Sequence, residues 1–375
     1  MKKRILILSI SALSFFTASD LRAQGDAATL LRGGVSDANL LMNAYMGPMM
    51  KSFGAGLNGG WFQTAKPHGI GGFDLTFSGN LAFAPDADKI YDVATLGLNK
   101  LRLKSGESSE APTVFGSGDG PTVELVEKSP FTGNDTPLTS FVLPPGAGLT
   151  FFPVPTMQFQ VGVGFGTELG IRYLPTIKAG DISIGLFGFA VKHDFKQWIP
   201  GIKEMPFDLS AMFGYTSLDA EFAFGKNGLQ PDADTNVYKP AGLPAFDNQK
   251  IVFTGSAWTI NVLISKKLGP LTPYLGLGYQ HSNVSLALKG DYPITGPNDI
   301  ATATSPGPGQ GKPAKVITIT DPIDISGKNS GVRATVGIRL KLLLLTLHGD
   351  YTFAAYNMAS VGVGLNLQSI VPFKL

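Results

Sequence analysis

The chain has 375 residues, of which 15% are charged, with no cysteine, 47 glycines, 26 prolines and 25 phenylalanines. The formal net charge is +2, but residues 1–23 carry four basic residues against one acidic, so the rest holds 26 basic and 27 acidic residues and a net charge of −1. That balance argues against a nucleic-acid partner, and the absence of cysteine predicts neither disulfides nor a lipid-anchored N-terminus.

Lys2, Lys3 and Arg4 precede an apolar stretch, Ile5 to Ala18, that is short for a membrane span, and Leu21-Arg22-Ala23 offers a cleavage site. Residues 1–23 therefore read as a secretory signal peptide. Residues 24–54 read as a hatch segment. Ser36 with Asp37 is the expected N-cap, Leu40, Leu41, Ala44 and Tyr45 have helical spacing, and Gly47-Pro48 are expected to end the helix. The segment either folds inward as a plug or lies against the periplasmic rim.

From residue 55 to 375 there is no uninterrupted apolar run of about eighteen residues, although mean hydropathy is +0.14. The pattern is period two instead. Val332, Ala334, Val336, Ile338 and Leu340 share one face, and Arg333, Thr335, Gly337, Arg339 and Lys341 share the other. Leu345, Leu347, Tyr351 and Phe353 oppose Thr346, His348, Asp350 and Thr352, and Val361, Val363, Leu365 and Leu367 oppose Ser360, Gly362, Gly364, Asn366 and Gln368. A soluble sandwich also alternates, but its polar face is rich in Lys and Glu, whereas this one is mostly Gly, Thr, Ser and Asn. The predicted fold is an all-β transmembrane antiparallel β-barrel of about 12–14 strands with a short N-terminal helical plug or hatch.

Candidate strands fall at 55–65, 70–83, 93–104, 151–163, 167–174, 181–196, 206–219, 251–266, 271–288, 329–341, 343–356 and 358–368. They leave long loops at 105–150, 220–250 and 289–328, all on one side, and short turns on the other, which is the asymmetry of outer-membrane barrels. Thr122–Glu127 and Val316–Ile319 are loop pieces that could add strands. Pro153 and Pro155 predict an irregular fourth strand, and slips of apolar phase in 181–196 and 271–288 predict bulges. Aromatic residues near strand ends, Tyr173, Phe195, Trp198, Tyr215, Trp258, Tyr279, Tyr351 and Tyr356, are girdle candidates. Lys66-Pro67-His68-Gly69 reads as the first external turn, with Trp61 and Phe62 as girdle or hatch contacts.

Chemistry-bearing motifs are sparse. Four histidines, His68, His193, His281 and His348, form no HExxH, and no G-x-S-x-G elbow is present. DADTN at 232–236 lacks the glycine and glutamate of a calcium loop, and GPGQGKP, ending at Pro313, lacks the Ser or Thr of a phosphate loop. No cofactor, metal or enzymatic activity is expected. The lumen candidates are Asp74, Glu168, Arg172, Arg333, Arg339, His348 and Asp350. Glu168 and Arg172 share the inward face of TELGIRYL, with Arg333 and Arg339 as possible partners, and His348 and Asp350 can interact on one strand face.

Three blocks, GWFQTAKPHGIGGFDLTF, GTELGIRYLP and HDFKQWIPGIKEMPFDLSAMFGYTSL, resemble an uncharacterised family of outer-membrane barrels from Bacteroidetes, a domain of unknown function. That family is distantly similar to long-chain fatty-acid transporter barrels, which carry an N-terminal hatch and pass hydrophobic solutes through an opening in the wall. The resemblance implies a bacterial outer-membrane location, and the expected partners are outer-membrane lipid, the barrel-assembly machinery and a hydrophobic small-molecule solute. The chain departs from many such barrels in ending VPFKL, with Phe373 third from last. The expected function is a passive transporter or channel for hydrophobic or small solutes; the alternative is a scaffold that binds partners through its long loops.

Overall fold

The computed structural model describes residues 31, 34–128, 134–202, 204–231, 233–234, 237–297 and 314–367. The expected signal peptide, residues 24–30, most of DADTN, the GPGQGKP stretch and the Phe373 end lie outside the described residues.

Ten antiparallel strands close into one barrel. They are β1 Phe73–Ala82, β2 Phe152–Gly164, β3 Thr167–Ala179, β4 Ile182–Asp194, β5 Asp208–Ala223, β6 Lys250–Ser265, β7 Leu271–Lys289, β8 Ile323–Leu342, β9 Leu345–Phe353 and β10 Met358–Leu367. The ring closes where β1 meets β10, with Phe73 opposite Leu367 and Ala82 opposite Met358. Alternation drives the closure. On β1, Asp74, Thr76, Ser78 and Asn80 are buried inside, while Leu75 and Phe77 are 41% and 49% exposed outside. Phe159, Ile171, Phe189, Ile260, Leu277, Ile338, Leu347 and Val363 continue the outer apolar band around the wall. A strand of ten residues like β1, at about 3.3 Å per residue and tilted about 45°, spans about 24 Å, close to the apolar height of such barrels.

The strand number corrects the expected twelve to fourteen, because two candidates are not wall strands. Residues 55–65 are the end of a helix and an irregular stretch inside the lumen. Residues 93–104 lie in the long loop, where only Leu101–Leu103 is extended, paired to Thr122–Lys128 in a small sheet completed by Asp135–Val142. Both segments alternate because both have one apolar side, facing the wall or the loop core around Leu41, Val93, Val123 and Leu143. Removing one strand before β1 and one after it keeps the parity of every later strand but reverses the direction of β1. Lys66–Gly69 is therefore no external hairpin. The pieces 122–127 and 316–319 do pair, in the small sheets of the loops rather than the wall. The last two turns fall at 343–344 and 354–357, slightly away from the expected Lys341-Leu342 and Asn357-Met358.

The phase slip in β7 has a cause other than a bulge. Its register with β6 and β8 runs unbroken. Past Gln280 the inward face turns apolar, with Val284 and Leu286 buried, and the facing residues Ile323 and Ile325 of β8 do the same. Here the wall rises beyond the lipid band, and its inner face packs on a helix. Register shifts do occur in β3, between Leu174 and Ile177 opposite β4, and in the β2–β3 pair at Gly162/Gly164. Tyr356 is buried against Asp88 rather than placed in a girdle.

The helix, α1 Val35–Leu57, is a plug. It continues through Gly47-Pro48, although an internal proline costs about 3 kcal/mol. Burial of Met46, Met49 and Met50 against Val284, Leu286, Ile323 and Ile325 offsets that cost. The N-cap is Gly34 without a side-chain bond. Asp37 instead accepts hydrogen bonds from the backbone N–H groups of Asn99, Lys100 and Leu101 at 2.7–3.0 Å, pinning the helix start to the long-loop end. Gly54 and Gly56 let the lower half touch the wall: a Cβ at either would lie 2.3–2.4 Å from Ser282 or Val154.

The plug thus enters at the rim that bears loops 83–151, 224–249 and 290–322 and leaves at the rim of short turns, where β1 begins. In a bacterial outer membrane the long loops face outward. Because the chain lacks cysteine, single cysteines can map this path. A Val35→Cys variant is expected to react with a membrane-impermeant maleimide on intact cells. Leu268→Cys, in a short turn, is expected to react only after permeabilisation. The opposite pattern would reverse the assigned direction.

Candidate functional site: the plugged lumen

The centre of the lumen is organised around the C-terminal end of α1. A helix ends with carbonyls that have no partner in the helix and a partial negative charge. This helix has no basic residue in its last turn, so the wall supplies two. Arg172 of β3 donates from Nη1 to the Leu57 carbonyl at 2.8 Å and from Nη2 to the Gly59 carbonyl at 2.6 Å. Its Nε and Nη2 also donate to Oε1 of Gln158, and the guanidinium carbon lies 3.6 Å from the ring centre of Trp61. Arg333 of β8 donates to the Asn58 carbonyl at 3.0 Å and to Thr352 Oγ1 at 3.3 Å. Both arginines are almost wholly buried.

Below this grip the chain 58–72 descends beside a second polar cluster. Glu168 holds Lys192 Nζ at 2.8 Å and His68 Nδ1 at 2.6 Å, and also accepts from the His68 backbone N–H. His68 Nε2 lies 2.5 Å from Asn366 Nδ2, which also donates to Asp74 at 2.8 Å. The His68 ring thus bridges the Glu168 carboxylate on one side and the Asn366 amide on the other. Asp74 further receives Thr76 Oγ1 and, at 3.4 Å, Arg339 Nη2.

All seven lumen candidates point inward, but their partners differ from those expected. Glu168 meets His68 and Lys192, not Arg333 or Arg339; the β3–β4 register places Glu168 opposite Lys192, and His68 arrives from the plug. Arg172 meets backbone carbonyls, not a carboxylate. His348 and Asp350 do not bond to each other. His348 lies 3.4 Å from Ser78 Oγ, and Asp350 accepts from the Tyr274 hydroxyl at 2.9 Å. His68, expected in an external turn, is 5% exposed and bound to the Glu168 carboxylate. Lys192 and Asn366 were legible as inward-facing by parity; Trp61 and His68 were not, because the alternation of 55–65 imitates a wall strand and places both residues at a rim.

Two features interrupt the closed wall. The β2–β3 ladder stops at Phe159 opposite Ile171, although β2 continues to Phe152 and β3 to Ala179. Pro153 and Pro155, which pair β2 to β1, lack the N–H groups that would extend the ladder on the other edge. Higher up, β8 has no β9 partner before Ala334. Asn39 and Asn43 of α1 cap that edge, accepting from the backbone N–H of Asp324 at 2.7 Å and Ser326 at 3.3 Å. A cavity of about 260 Å³ lies beside this edge, lined by Asn43, Lys51, Asp88, Tyr91 and Lys328. No cluster able to hold a metal occurs among the described residues.

An apolar exterior around a polar, self-filled interior defines the class: an outer-membrane-type β-barrel plugged by its own N-terminal chain. The chain belongs to DUF6588, a family of unknown function whose pattern matches residues 1–367. No curated protein matches it. Solved structures it resembles include Ail, the attachment invasion locus protein of Yersinia pestis, at 5% identity over 80% of this chain and 98% of Ail, with a TM-score of 0.25. The translocator domain of autotransporter NalP from Neisseria meningitidis follows at 11% identity, 89% and 98% coverage and a TM-score of 0.28. The P. putida toluene transporter TodX stands at 10% identity, 84% and 94% coverage and a TM-score of 0.21. At these scores the likeness carries no argument about solutes or partners.

Glu168→Gln strands the buried Lys192 ammonium and is expected to cost about 3–5 kcal/mol in urea unfolding. Adding Lys192→Met should recover most of that loss. Arg172→Met leaves the Leu57 carbonyl with Thr216 Oγ1 as donor and the Gly59 carbonyl without its arginine donor, and is expected to cost about 3 kcal/mol, read as a lower midpoint of the heat-modifiable gel shift.

Proposed function

We propose that this protein is a gated outer-membrane passage for small, largely apolar solutes, shut in the described state by its own plug. One observation carries the reading: the seam between β2 and β3 above Phe159. Unpaired backbone facing hydrocarbon costs several kcal/mol per group, so a wall that leaves a seam open at the height of the lipid band has a use for it. Leu57 and Phe53 of the plug pack with Val154 and Phe152 just inside that seam. The upper lumen is lined by Met42, Met46, Met49 and Met50, whose flexible thioethers accommodate apolar shapes. An apolar solute also suits the resemblance to fatty-acid transporters drawn from the sequence. The lumen is filled along its length, which argues against a general porin.

The test uses cysteines across the seam. Met157 and Tyr173 face outward at the heights where the ladder would continue. In proteoliposomes, a Met157→Cys/Tyr173→Cys protein is expected to admit a fluorescent apolar probe when reduced and to lose most uptake when bridged by a short bifunctional maleimide. Equal uptake in both states, or none in the wild type, would reject the reading.

A second reading, a scaffold for partners, draws on the loop sheet. Its edge strand Asp135–Val142 exposes Leu138 at 54% and Val142 at 56% and offers an unpaired edge for strand addition. Leu138→Asp with Val142→Asp is expected to abolish partner cross-linking on cells if this reading holds, leaving uptake unchanged.

A further inference from the structure

We infer that the short-turn mouth of the barrel is a binding site for an oxyanion group, such as a phosphate or carboxylate. A small cavity opens there between the plug and the ends of β7 and β8, lined by Lys66, Lys267, Arg339 and Lys341 against one carboxylate, Asp208. Its internal space is about 40 Å³. One water needs about 10–15 Å³ on that measure, so the cavity fits the head of an oxyanion and leaves the rest of its carrier outside.

The protein balances these charges only in part, through Asp208 and through Asp74, the ion-pair partner of Arg339. Lys341 lies within electrostatic reach of both Arg339 and Lys267. The Lys267 ammonium has no hydrogen bond or ion pair among the described residues. Arg339 is the stronger indication. It is 6% exposed, yet among the described residues its single hydrogen bond is the 3.4 Å contact to Asp74, and its Nε is buried without any partner. A guanidinium offers five donors in a fixed fork that matches an oxyanion, and buried donors are rarely left unmet. Arg172 and Arg333, equally buried in the same lumen, each have carbonyl and side-chain acceptors on their Nη atoms, although the Nε of Arg333 is also unmet. Arg339 differs from them in facing a cavity. The inference rests on this rim alone and stands whether or not the seam passes solutes.

Thermal unfolding of the full protein in non-ionic detergent tests it, with inorganic phosphate, acetate or a short-chain phosphatidylglycerol compared with chloride at matched ionic strength. At least one oxyanion should raise the midpoint by several degrees. Lys66→Gln with Lys267→Gln, both exposed and tolerant of change, should remove most of that rise, while Lys328→Gln at the opposite rim should keep it. Arg339→Gln should also remove it, provided the variant folds. A shift by phosphate or acetate assigns a free anion, and a shift by phosphatidylglycerol alone assigns a lipid headgroup. No shift beyond chloride, or an equal shift in the Lys66/Lys267 variant, overturns the inference.

Discussion

Two buried arginines reaching from the wall to the last carbonyls of α1 hold the interior together. A guanidinium taken out of water costs several kcal/mol unless its donors are met. Gln158 and Thr352 meet some of those of Arg172 and Arg333, and the plug meets others through Leu57, Asn58 and Gly59. Wall and plug are therefore each incomplete without the other. The helix has no basic residue at its own C-terminus, and the strands bring few inward acidic groups to that height, so the two deficits cancel. Hydrogen bonds, a cation–π contact and apolar burial together hold the plug in the wall.

The same constraint shapes the wall. Strands β6 to β8 are longer than a bilayer requires and their upper halves pack on α1, with Val284, Leu286, Ile323 and Ile325 on the inward faces of β7 and β8. Strands β9 and β10 stop near the lipid band, and the similarly short β1 meets the plug through Ala82, which packs with Ala55. The difference leaves the β8 edge uncovered, and Asn39 and Asn43 take the place of a neighbouring strand. On the other side, Pro153 and Pro155 keep β2 from completing its ladder with β3. The places where the strand ladders stop are thus set by particular residues, not by a general looseness of the sheet.

Much of the wall was legible in advance. Strands that border both lipid and lumen must alternate, so Asp74, Glu168, Arg172, Arg333, Arg339, His348 and Asp350 could each be assigned inward from parity. Parity failed where a segment had a one-sided environment that was not lipid. Residues 55–65 lie inside the lumen and 93–104 in the outer loop, and each imitates a wall strand. Gly47-Pro48 misled for a related reason: propensity predicts a break in water, whereas an enclosed helix retains its turn through packing. The pairing of Glu168 with His68 was beyond any local signal, since one hundred residues separate them.

What the amino-acid order determined alone is the class of structure: an apolar-out, polar-in antiparallel barrel with long loops at one end, because each strand's two faces are written in alternate residues. What the tertiary structure decided is how that barrel is closed. The number of wall strands, the direction of β1, the passage of α1 down the lumen and the partners of every buried charge depend on which segments end up enclosed. Enclosure is a property of the closed ring, and no stretch of sequence carries it until the ring has formed.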